Sequence, residues 1–259
     1  MISAPGNSRV AEILFITGTG TGVGKTVLTG LACLYARECG LRVIALKPFC
    51  SGGREDVHLL HRIQEGRVSM RTINPFHYPL PLAPAVAATA GAGRQVGLRE
   101  AVESVRVHLD DNELVLVEGV GGVMVPLGQG YTVLDWIAAL RCRVLVAGWN
   151  ALGTINHSLL TLGAIQGRGL SVSGMALMKP ERRDPSTDFN GRAIHALGGG
   201  VQVVEFPFLG LKMNDFEAIK NAFKKTKKSL ARLIGTANFT PALSKGNAAS
   251  GGEKSKETF

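Results

Sequence analysis

The glycine-rich segment from Gly18 to Thr26 constrains the fold of this chain more than any other part of its sequence. It reads Gly-Thr-Gly-Thr-Gly-Val-Gly-Lys-Thr and lies between a short β-branched apolar run, Ile13–Thr17, and a segment with helical spacing, Val27–Cys39. Glycines there let the backbone turn its N–H groups around phosphate oxygens, and the helix N-terminus adds positive potential. The strand–loop–helix order therefore predicts a nucleotide phosphate-binding loop, against the alternative of a plain glycine-rich turn.

Within this loop the lysine and the last threonine have distinct predicted roles. Lys25 reaches the β- and γ-phosphates, and the hydroxyl of Thr26 binds Mg²⁺. Five residues separate Gly18 from the Gly-Lys pair, where the usual pattern has four, and the Rossmann spacing fails in every register. The predicted nucleotide-binding residues are Gly20, Thr21, Gly22, Val23, Gly24, Lys25 and Thr26.

Short apolar runs alternate with helical segments up to residue 197, which predicts buried parallel strands joined by right-handed crossovers. The fold class is therefore α/β: a doubly wound, mostly parallel sheet with helices on both faces, similar to P-loop NTPases. Residues 75–93 are predicted to be a long loop leading into a short helix at 83–90. The predicted strands cover 13–17, 42–46, 114–117, 144–147 and 172–177, and the predicted helices cover 27–39, 98–109, 133–140, 155–166 and 187–197.

The positive charge is concentrated at the C-terminal end of the chain. The net charge is +9, but residues 211–259 hold ten Lys or Arg against four acids. We predict one P-loop α/β domain over 1–210, a basic amphipathic helix over 211–234 and a disordered tail over 235–259. The basic end could bind nucleic acid or an anionic membrane, but a terminal helix with a solvated face is the preferred interpretation.

Composition excludes several classes of protein. The 45% apolar content excludes disorder for most of the chain. Apolar stretches such as Leu114–Val117 are far shorter than the ~20 residues needed to cross a bilayer. Residues 1–12 lack a secretory signal pattern, and the four cysteines form no CxxC pair. A cytoplasmic protein without a membrane partner is expected, and a nucleic-acid partner is not.

A second acidic signal follows the predicted strand Leu114–Val117. Glu118 ends this strand and is followed by Gly-Val-Gly-Gly. A carboxylate at the carboxyl end of a strand beside a phosphate loop can hold Mg²⁺ or its waters. The alternative is a local cap or ion pair.

Together these motifs resemble the dethiobiotin synthetase family. The resemblance covers roughly residues 12–178 in the family's order. It rests on the five-spaced phosphate loop and on five further motifs: Lys47-Pro-Phe-Cys-Ser51-Gly, Glu55-Asp56 before a helix, Asn74-Pro75, Leu-Val-Glu118-Gly-Val-Gly-Gly, and Leu152-Gly-Thr-Ile-Asn156-His157.

The resemblance implies an ATP-dependent ligase of biotin synthesis. One amino group of 7,8-diaminononanoate captures CO₂ as a carbamate, the carbamate attacks the γ-phosphate, and the second amine closes the ring of dethiobiotin. Lys47 and Lys25 are then the catalytic cations that neutralise the carbamate and the phosphates. Thr21 and Ser51 contact carbamate or phosphate, and Asp56 joins Thr26 and Glu118 around Mg²⁺.

The resemblance also implies a homodimer. The family uses the stretch Gly153, Thr154 and Asn156 of the neighbouring subunit for the carboxylate tail of the substrate. Taken alone, each of these residues has an ordinary structural alternative. Lys47 could be a surface lysine, Asp56 a helix N-cap, Ser51 part of a turn, and Thr154 and Asn156 helix caps.

Three positions depart from the family's pattern. Gly20 stands where the family commonly has Asp, Met178 where an adenine-binding Asn is expected, and Ala within 82–85 where His is common. Because methionine cannot donate and accept as an amide does, the base preference stays open, and ATP or another NTP is the expected co-substrate.

Two other functions compete with the ligase. A partition- or septum-type nucleotide-switch ATPase, binding DNA or membrane, has a related loop and sheet, but such proteins usually carry an additional lysine near the start of the loop, and positions 18–22 hold none. A cobyrinate-type amidoligase needs a glutaminase domain, for which 259 residues leave no room.

Overall fold

A six-stranded parallel sheet forms the centre of the computed structural model, which describes residues 11–182, 184–210 and 215–234. The strands of this sheet are β1 (Glu12–Gly18), β2 (Val43–Leu46), β5 (Leu114–Glu118), β8 (Arg143–Trp149), β9 (Val172–Met178) and β10 (Val203–Phe206). Their order across the sheet is β10-β9-β8-β1-β5-β2, with every neighbouring pair parallel. The predicted doubly wound α/β fold is confirmed.

Helices cover both faces of the sheet. They are α1 (Lys25–Glu38), α2 (Glu55–Ile63), α3 (Met70–Ile73), α4 (Pro84–Thr89), α5 (Leu98–Arg106), α6 (Val133–Leu140), α7 (Thr154–Gln166), α8 (Thr187–Leu197) and α9 (Phe216–Ile234). None of the described helices is long and apolar enough to cross a membrane.

The alternation of side chains along each strand explains why the strands are continuously apolar. In β1, Phe15 points into a cluster that contains Trp136 of α6, whereas Leu14 points into a second cluster beneath α1 and α9. A strand with a helix layer on each face must be apolar at every position. The core therefore consists of two clusters separated by the sheet.

Helix α9 is part of the second cluster. Its inward side chains, among them Ile219, Leu230 and Leu233, are buried against α1, β9 and β10. Lys224, Lys225 and Lys228 on its outer face are exposed. One face of α9 therefore packs on the core and the other face lies in solvent. The predicted tail over 235–259 lies outside the described residues.

The structure corrects the sequence prediction for residues 75–93. This segment contains the short strand β4 (Phe76–Tyr78), which pairs in parallel with β3 (Phe49–Ser51). A small hairpin, β6 (Pro126–Gly128) with β7 (Tyr131–Thr132), and the edge strand β10 were also not predicted. Strands of two to four residues are too short to show a hydrophobic period.

Replacing Leu230 by Ala should destabilise the protein, because this fully buried side chain joins α9 to the second cluster. Large-to-small changes of this kind lower the free energy of unfolding by about 2–5 kcal/mol. The control is Lys228→Ala, on the exposed face of the same helix, which should change it by less than about 0.5 kcal/mol. Urea unfolding of both variants measures the difference, and equal stabilities would show that α9 does not contribute to the core.

Candidate active site

Strand register brings the predicted site residues to one edge of the sheet. Leu46 of β2 lies opposite Val117 of β5, so the next residues, Lys47 and Glu118, are neighbours. Ile16 of β1 lies opposite Glu118 on its other side, which places the phosphate loop beside the same carboxylate. Ligands of open α/β sheets bind at this carboxyl edge.

The phosphate loop has the backbone shape that its glycines predict. Gly22 and Gly24 have φ of 75° and 92°, a conformation that side chains with a Cβ rarely adopt. The ammonium of Lys25 is buried and donates to the carbonyl of Gly20 at 2.7 Å. The side chain of Val23 is buried in the second core cluster, so Val23 can offer only its backbone to a phosphate.

Four side chains meet behind the loop. Thr26 Oγ1 donates to Glu118 Oε1 at 2.7 Å, and the ammonium of Lys47 donates to the same oxygen. Lys47 Nζ also lies 2.9 Å from Asp56 Oδ2. Glu118 Oε2 is buried and has no hydrogen-bond partner among the described residues. Thr26, Lys47, Asp56 and Glu118 are called the carboxylate cluster below.

The structure decides between the alternatives that the sequence left open for these residues. Asp56 lies inside the first turn of α2, after the N-cap residue Arg54, and its carboxylate faces Lys47. Lys47 is buried and is therefore not a surface lysine. Glu118 pairs with side chains of two other elements rather than capping its own loop.

The two lysines have opposite pKa shifts. Burial lowers the pKa of Lys25 to about 8, and the neighbouring Lys47 ammonium adds to this effect. Burial also opposes the charge of Lys47, but the carboxylates of Glu118 and Asp56 outweigh it and raise the pKa of Lys47. Burial raises the pKa of Glu118. The Asp56 carboxyl also loses hydration, but Lys47 outweighs this and lowers its pKa.

A cavity of about 530 Å³ opens above the loop and the carboxylate cluster. Of the predicted residues, Thr21, Gly22, Gly24, Lys25, Thr26, Lys47, Ser51, Asp56 and Glu118 line it. Gly20 and Val23 do not. The wall also contains five residues that were not predicted as site residues: Leu59, Pro81, Val120, Gly121 and Val125. The only sequence signal for this part of the wall is the set of repeated prolines in residues 79–84.

The loop after β5 touches the phosphate loop closely. A Cβ built on Gly122 would lie 3.5 Å from the carbonyl oxygen of Gly18, and Gly121 has φ of 59°. That distance is an ordinary van der Waals contact, so a Cβ would fit at Gly122. At Gly121 any side chain would strain the turn, and its Cβ would lie 2.6 Å from Cγ2 of Val125. Gly121 is therefore the position in this loop that requires a glycine.

The unpredicted strand pair β3–β4 positions Ser51. The N–H of Gly52 donates to the carbonyl of Tyr78 at 2.8 Å, which holds the end of β3 under Pro81. The hydroxyl of Ser51 is buried without a partner among the described residues, although the residue lines the cavity. Burial raises the pKa of the adjacent Cys50 to about 11, so its thiol is protonated at neutral pH and packs rather than reacts.

The third predicted group lies away from the cavity. Gly153, Thr154 and Asn156 form the start of α7 and do not line the cavity of their own chain. Gly153 is the N-cap, with φ of 89°. The hydroxyl of Thr154 is buried and lies 3.5 Å from that of Ser158, whereas Asn156 is exposed. Neither Thr154 nor Asn156 caps the helix.

The donor set of the carboxylate cluster fits a magnesium ion that arrives with a nucleotide. Two carboxylates and a hydroxyl are the hard oxygen ligands that Mg²⁺ prefers, and Glu118 Oε2 is a buried acceptor with no partner in the part of the chain that the structure describes. The described residues contain no group of three or more His, Cys, Asp or Glu that could hold a metal by themselves. Phosphate oxygens and water would therefore complete the coordination.

A smaller apolar pocket of about 60 Å³ shares Gly24 and Val27 with the main cavity. Met178, Trp149 and Phe208 line it. The Met178 side chain packs against Gly24, with its Cγ 3.1 Å from the position that a Cβ on this glycine would take. This is where the sequence expected a base-binding residue.

Comparisons with known proteins agree with the fold and the loop. Residues 12–215 match the AAA domain family. The ATP-dependent dethiobiotin synthetase BioD of Anaeromyxobacter sp. (strain Fw109-5) is 41% identical over 191 residues, which are 72% of this chain and 85% of the relative. The protein of the same name from Mycobacterium avium (strain 104) is 39% identical, over 80% of this chain and 92% of the relative.

Among solved structures, the septum site-determining protein MinD of Pyrococcus horikoshii OT3, complexed with Mg-ADP, superposes with a TM-score of 0.52 at 15% identity. The match covers 86% of this chain and 94% of that one. At this identity the likeness shows a shared fold and nothing about function.

Nucleotide affinity should fall as the pH rises above about 8, because Lys25 loses its proton there and a bound triphosphate favours the protonated form. The complex then binds more protons than the free protein, so the association constant falls by up to about tenfold per pH unit. Calorimetric titration with ATP from about pH 7 to about pH 9.5, in a metal chelator, measures the slope.

The control for this slope is Lys25→Met, which should bind ATP more weakly at every pH and without the alkaline decline. A wild-type affinity that stays constant up to about pH 9.5 would contradict the assignment of Lys25 to the phosphates.

Proposed function

This chain belongs to the ATP-dependent dethiobiotin synthetase family, whose members are ligases of biotin biosynthesis, and we propose that it carboxylates 7,8-diaminononanoate with CO₂ and closes the ring to dethiobiotin. The observation that carries the proposal is the pair of buried lysines, Lys25 and Lys47, in one cavity with a phosphate loop and two carboxylates. The additional lysine expected of a nucleotide switch belongs near the start of the loop, where positions 18–22 hold none, whereas Lys47 follows β2.

The proposed reaction has three steps. An amino group adds to CO₂ and loses a proton, giving a carbamate. A carbamate oxygen attacks the γ-phosphorus, and ADP leaves with the electron pair of the broken P–O bond. The second amine attacks the carbonyl carbon of the carbamic–phosphoric anhydride, loses a proton and expels phosphate. All three steps need positioning and charge neutralisation rather than a covalent nucleophile.

The phosphate loop is assigned to the co-substrate nucleotide. The N–H groups of Gly22, Val23 and Gly24 donate to oxygens of the β-phosphate, as the loop and helix geometry favours. Lys25 exchanges the carbonyl of Gly20 for phosphate oxygens. We assign the base to the apolar pocket at Met178, with ATP or another NTP as the nucleotide.

Thr26, Asp56 and Glu118 are assigned to Mg²⁺. When bound, Mg²⁺ would supply positive charge that offsets the negative charge of the phosphates. Glu118 offers a buried oxygen that has no partner among the described residues, and Thr26 donates to its other oxygen.

Lys47 and Ser51 are assigned to the reacting carbamate, together with Thr21, which lines the same cavity. The carbamate carries its negative charge only after CO₂ has been captured. A buried ammonium that is already positioned stabilises this charge, as it does the charge that develops in the attack on phosphorus. Ser51 donates from a hydroxyl that has no partner among the described residues.

We propose that two copies of the chain complete the site. Leu152, Leu160 and Phe189 on or beside α7 and α8 expose 86%, 66% and 67% of their surface. A group of exposed large apolar side chains on packed helices is typical of a protein interface. The start of α7, with Gly153 and Asn156, would then reach the substrate carboxylate in the cavity of the partner subunit.

Two further assignments complete the proposal. Residues 1–210 carry the reaction, α9 stabilises their core, and residues 235–259 take no part, since the family match ends at residue 215. The enzyme works in the cytoplasm, where its four free cysteines suit a reducing compartment.

The reaction is tested by phosphate release with 7,8-diaminononanoate, bicarbonate, Mg²⁺ and each of four NTPs. Release should require both the diamine and bicarbonate, and the product should be dethiobiotin. Lys47→Gln should lower kcat by about 10²–10³-fold, by analogy with removing an oxyanion donor. The Kd for nucleotide, measured with Mg²⁺, should change far less, because Lys25 and the loop amides remain.

Phosphate release that is independent of the diamine would contradict the ligase assignment. A Lys47→Gln protein with near-normal kcat, or one that loses nucleotide binding in parallel with turnover, would remove Lys47 from the catalytic residues.

The dimer proposal predicts that Leu152→Glu converts a dimer into a monomer, because a charge replaces an apolar side chain at the centre of the proposed interface. The monomer should still bind nucleotide but lose ligase activity, since the partner's Asn156 no longer reaches the cavity. Sedimentation equilibrium measures the mass. Val107→Glu, an equally large change at an exposed apolar residue after α5, should remain dimeric and active. A monomeric, fully active wild type would overturn the proposal.

A further inference from the structure

The ammonium of Lys47 lies among the side chains that are assigned to magnesium. It donates to Glu118 Oε1 and lies 2.9 Å from Asp56 Oδ2. Thr26 also donates to Glu118 Oε1, so this oxygen accepts two hydrogen bonds. Lys47 therefore neutralises both carboxylates of the cluster.

We propose that Lys47 is a displaceable counter-ion of the magnesium site. Its ammonium balances Asp56 and Glu118 until a magnesium–nucleotide complex binds, and it then moves from these carboxylates to the phosphate and carbamate oxygens. The contact of Lys47 with a carbamate rests on the function proposed above. The exchange between lysine and metal requires only the phosphate loop and the carboxylate cluster.

Burial explains why the carboxylates need a counter-ion before the metal arrives. Glu118 is 1% exposed, and a buried carboxylate without a partner is strongly destabilising. Lys47, at 5% exposure, supplies the charge from the adjacent strand end. The cluster with Lys25 then contains two ammonium groups and two carboxylates, so its charges balance.

The same balance explains why Lys47 must leave. An ammonium held between two carboxylates has most of its charge cancelled and spends two of its three donors on them. It cannot stabilise a phosphate from there. When Mg²⁺ replaces it, the carboxylates keep a counter-ion, and Lys47 becomes a free cation beside the oxygens that gain charge in the reaction.

Two structural features favour this exchange. The four-carbon stem of lysine allows the ammonium to shift while its backbone stays at the strand end. Glu118 Oε2, which Lys47 does not contact and which has no partner among the described residues, offers the metal an oxygen before the lysine has left. The alternative is a permanent ion pair, in which the nucleotide phosphates alone hold the metal.

The two possibilities differ in how nucleotide changes the effect of Lys47 on metal affinity. Mn²⁺ replaces Mg²⁺ as the probe, and electron paramagnetic resonance of free Mn²⁺ gives its Kd with and without a non-hydrolysable ATP analogue. Without nucleotide, Lys47→Gln should bind Mn²⁺ at least about tenfold more tightly than wild type, a coupling of ordinary size for two sites. With the analogue bound, the difference should shrink to less than about threefold.

Two further variants complete the measurement. Asp56→Asn should weaken Mn²⁺ binding about tenfold in the presence of the analogue, because its carboxylate has become a ligand. Lys227→Gln removes the same charge from α9 beside Glu38, at the far end of α1 and about 20 Å from the loop, and should leave every Mn²⁺ affinity unchanged.

A tenfold difference that persists with the analogue, or an Asp56→Asn protein with normal Mn²⁺ affinity, would overturn the proposal. If Lys47→Gln does not fold without metal, millimolar Mg²⁺ should restore its folding, followed by circular dichroism. Failure of that rescue would also overturn it. None of these readouts uses ligase turnover, so a failed exchange and a failed ligase assignment are distinguishable.

Discussion

The buried contact between Lys47 and Glu118 joins the fold to the site. Each charge lies at the end of a different strand, and each would be costly to bury alone. Their contact requires β2 and β5 to be neighbours in the register that places Leu46 beside Val117. Because β5 also pairs with β1, the same register fixes the phosphate loop against Glu118. The site is therefore a consequence of sheet order.

The two lysines of the site have different environments and therefore different properties. Lys47 is held by two carboxylates, which keep it charged despite burial. The ammonium of Lys25 donates to a neutral group, the carbonyl of Gly20, and burial together with Lys47 lowers its pKa despite the nearby carboxylates. Lys25 can therefore bind a phosphate directly. Lys47 must first leave the carboxylates of Asp56 and Glu118 before it can bind phosphate or carbamate oxygens. Two residues of the same type can in this way take successive roles in one reaction.

The shared fold and the individual site carry different information. The septum site-determining protein MinD shares the fold, but the likeness at 15% identity concerns only the arrangement of strands and helices. What favours a ligase in this chain is local. A buried lysine follows β2, and a serine hydroxyl at the end of β3 and a carboxylate oxygen at the end of β5 have no partner among the described residues. Buried polar atoms without partners are rare, and their presence in one cavity favours a polar ligand.

The sequence by itself determined the fold class and the phosphate loop, because apolar period, glycine spacing and strand–helix order depend on neighbours along the chain. Thr26 and Glu118 of the carboxylate cluster were predicted from the same local patterns, whereas Lys47 and Asp56 were predicted only from the family resemblance. The strand pair β3–β4, which places Ser51, and the cavity walls Pro81 and Val125 were decided only by the tertiary structure. The short strands have no detectable period, and the walls are made by residues that lack a chemical signature. The contact of Lys47 with both carboxylates was also beyond the sequence, because it depends on strand register between segments some seventy residues apart.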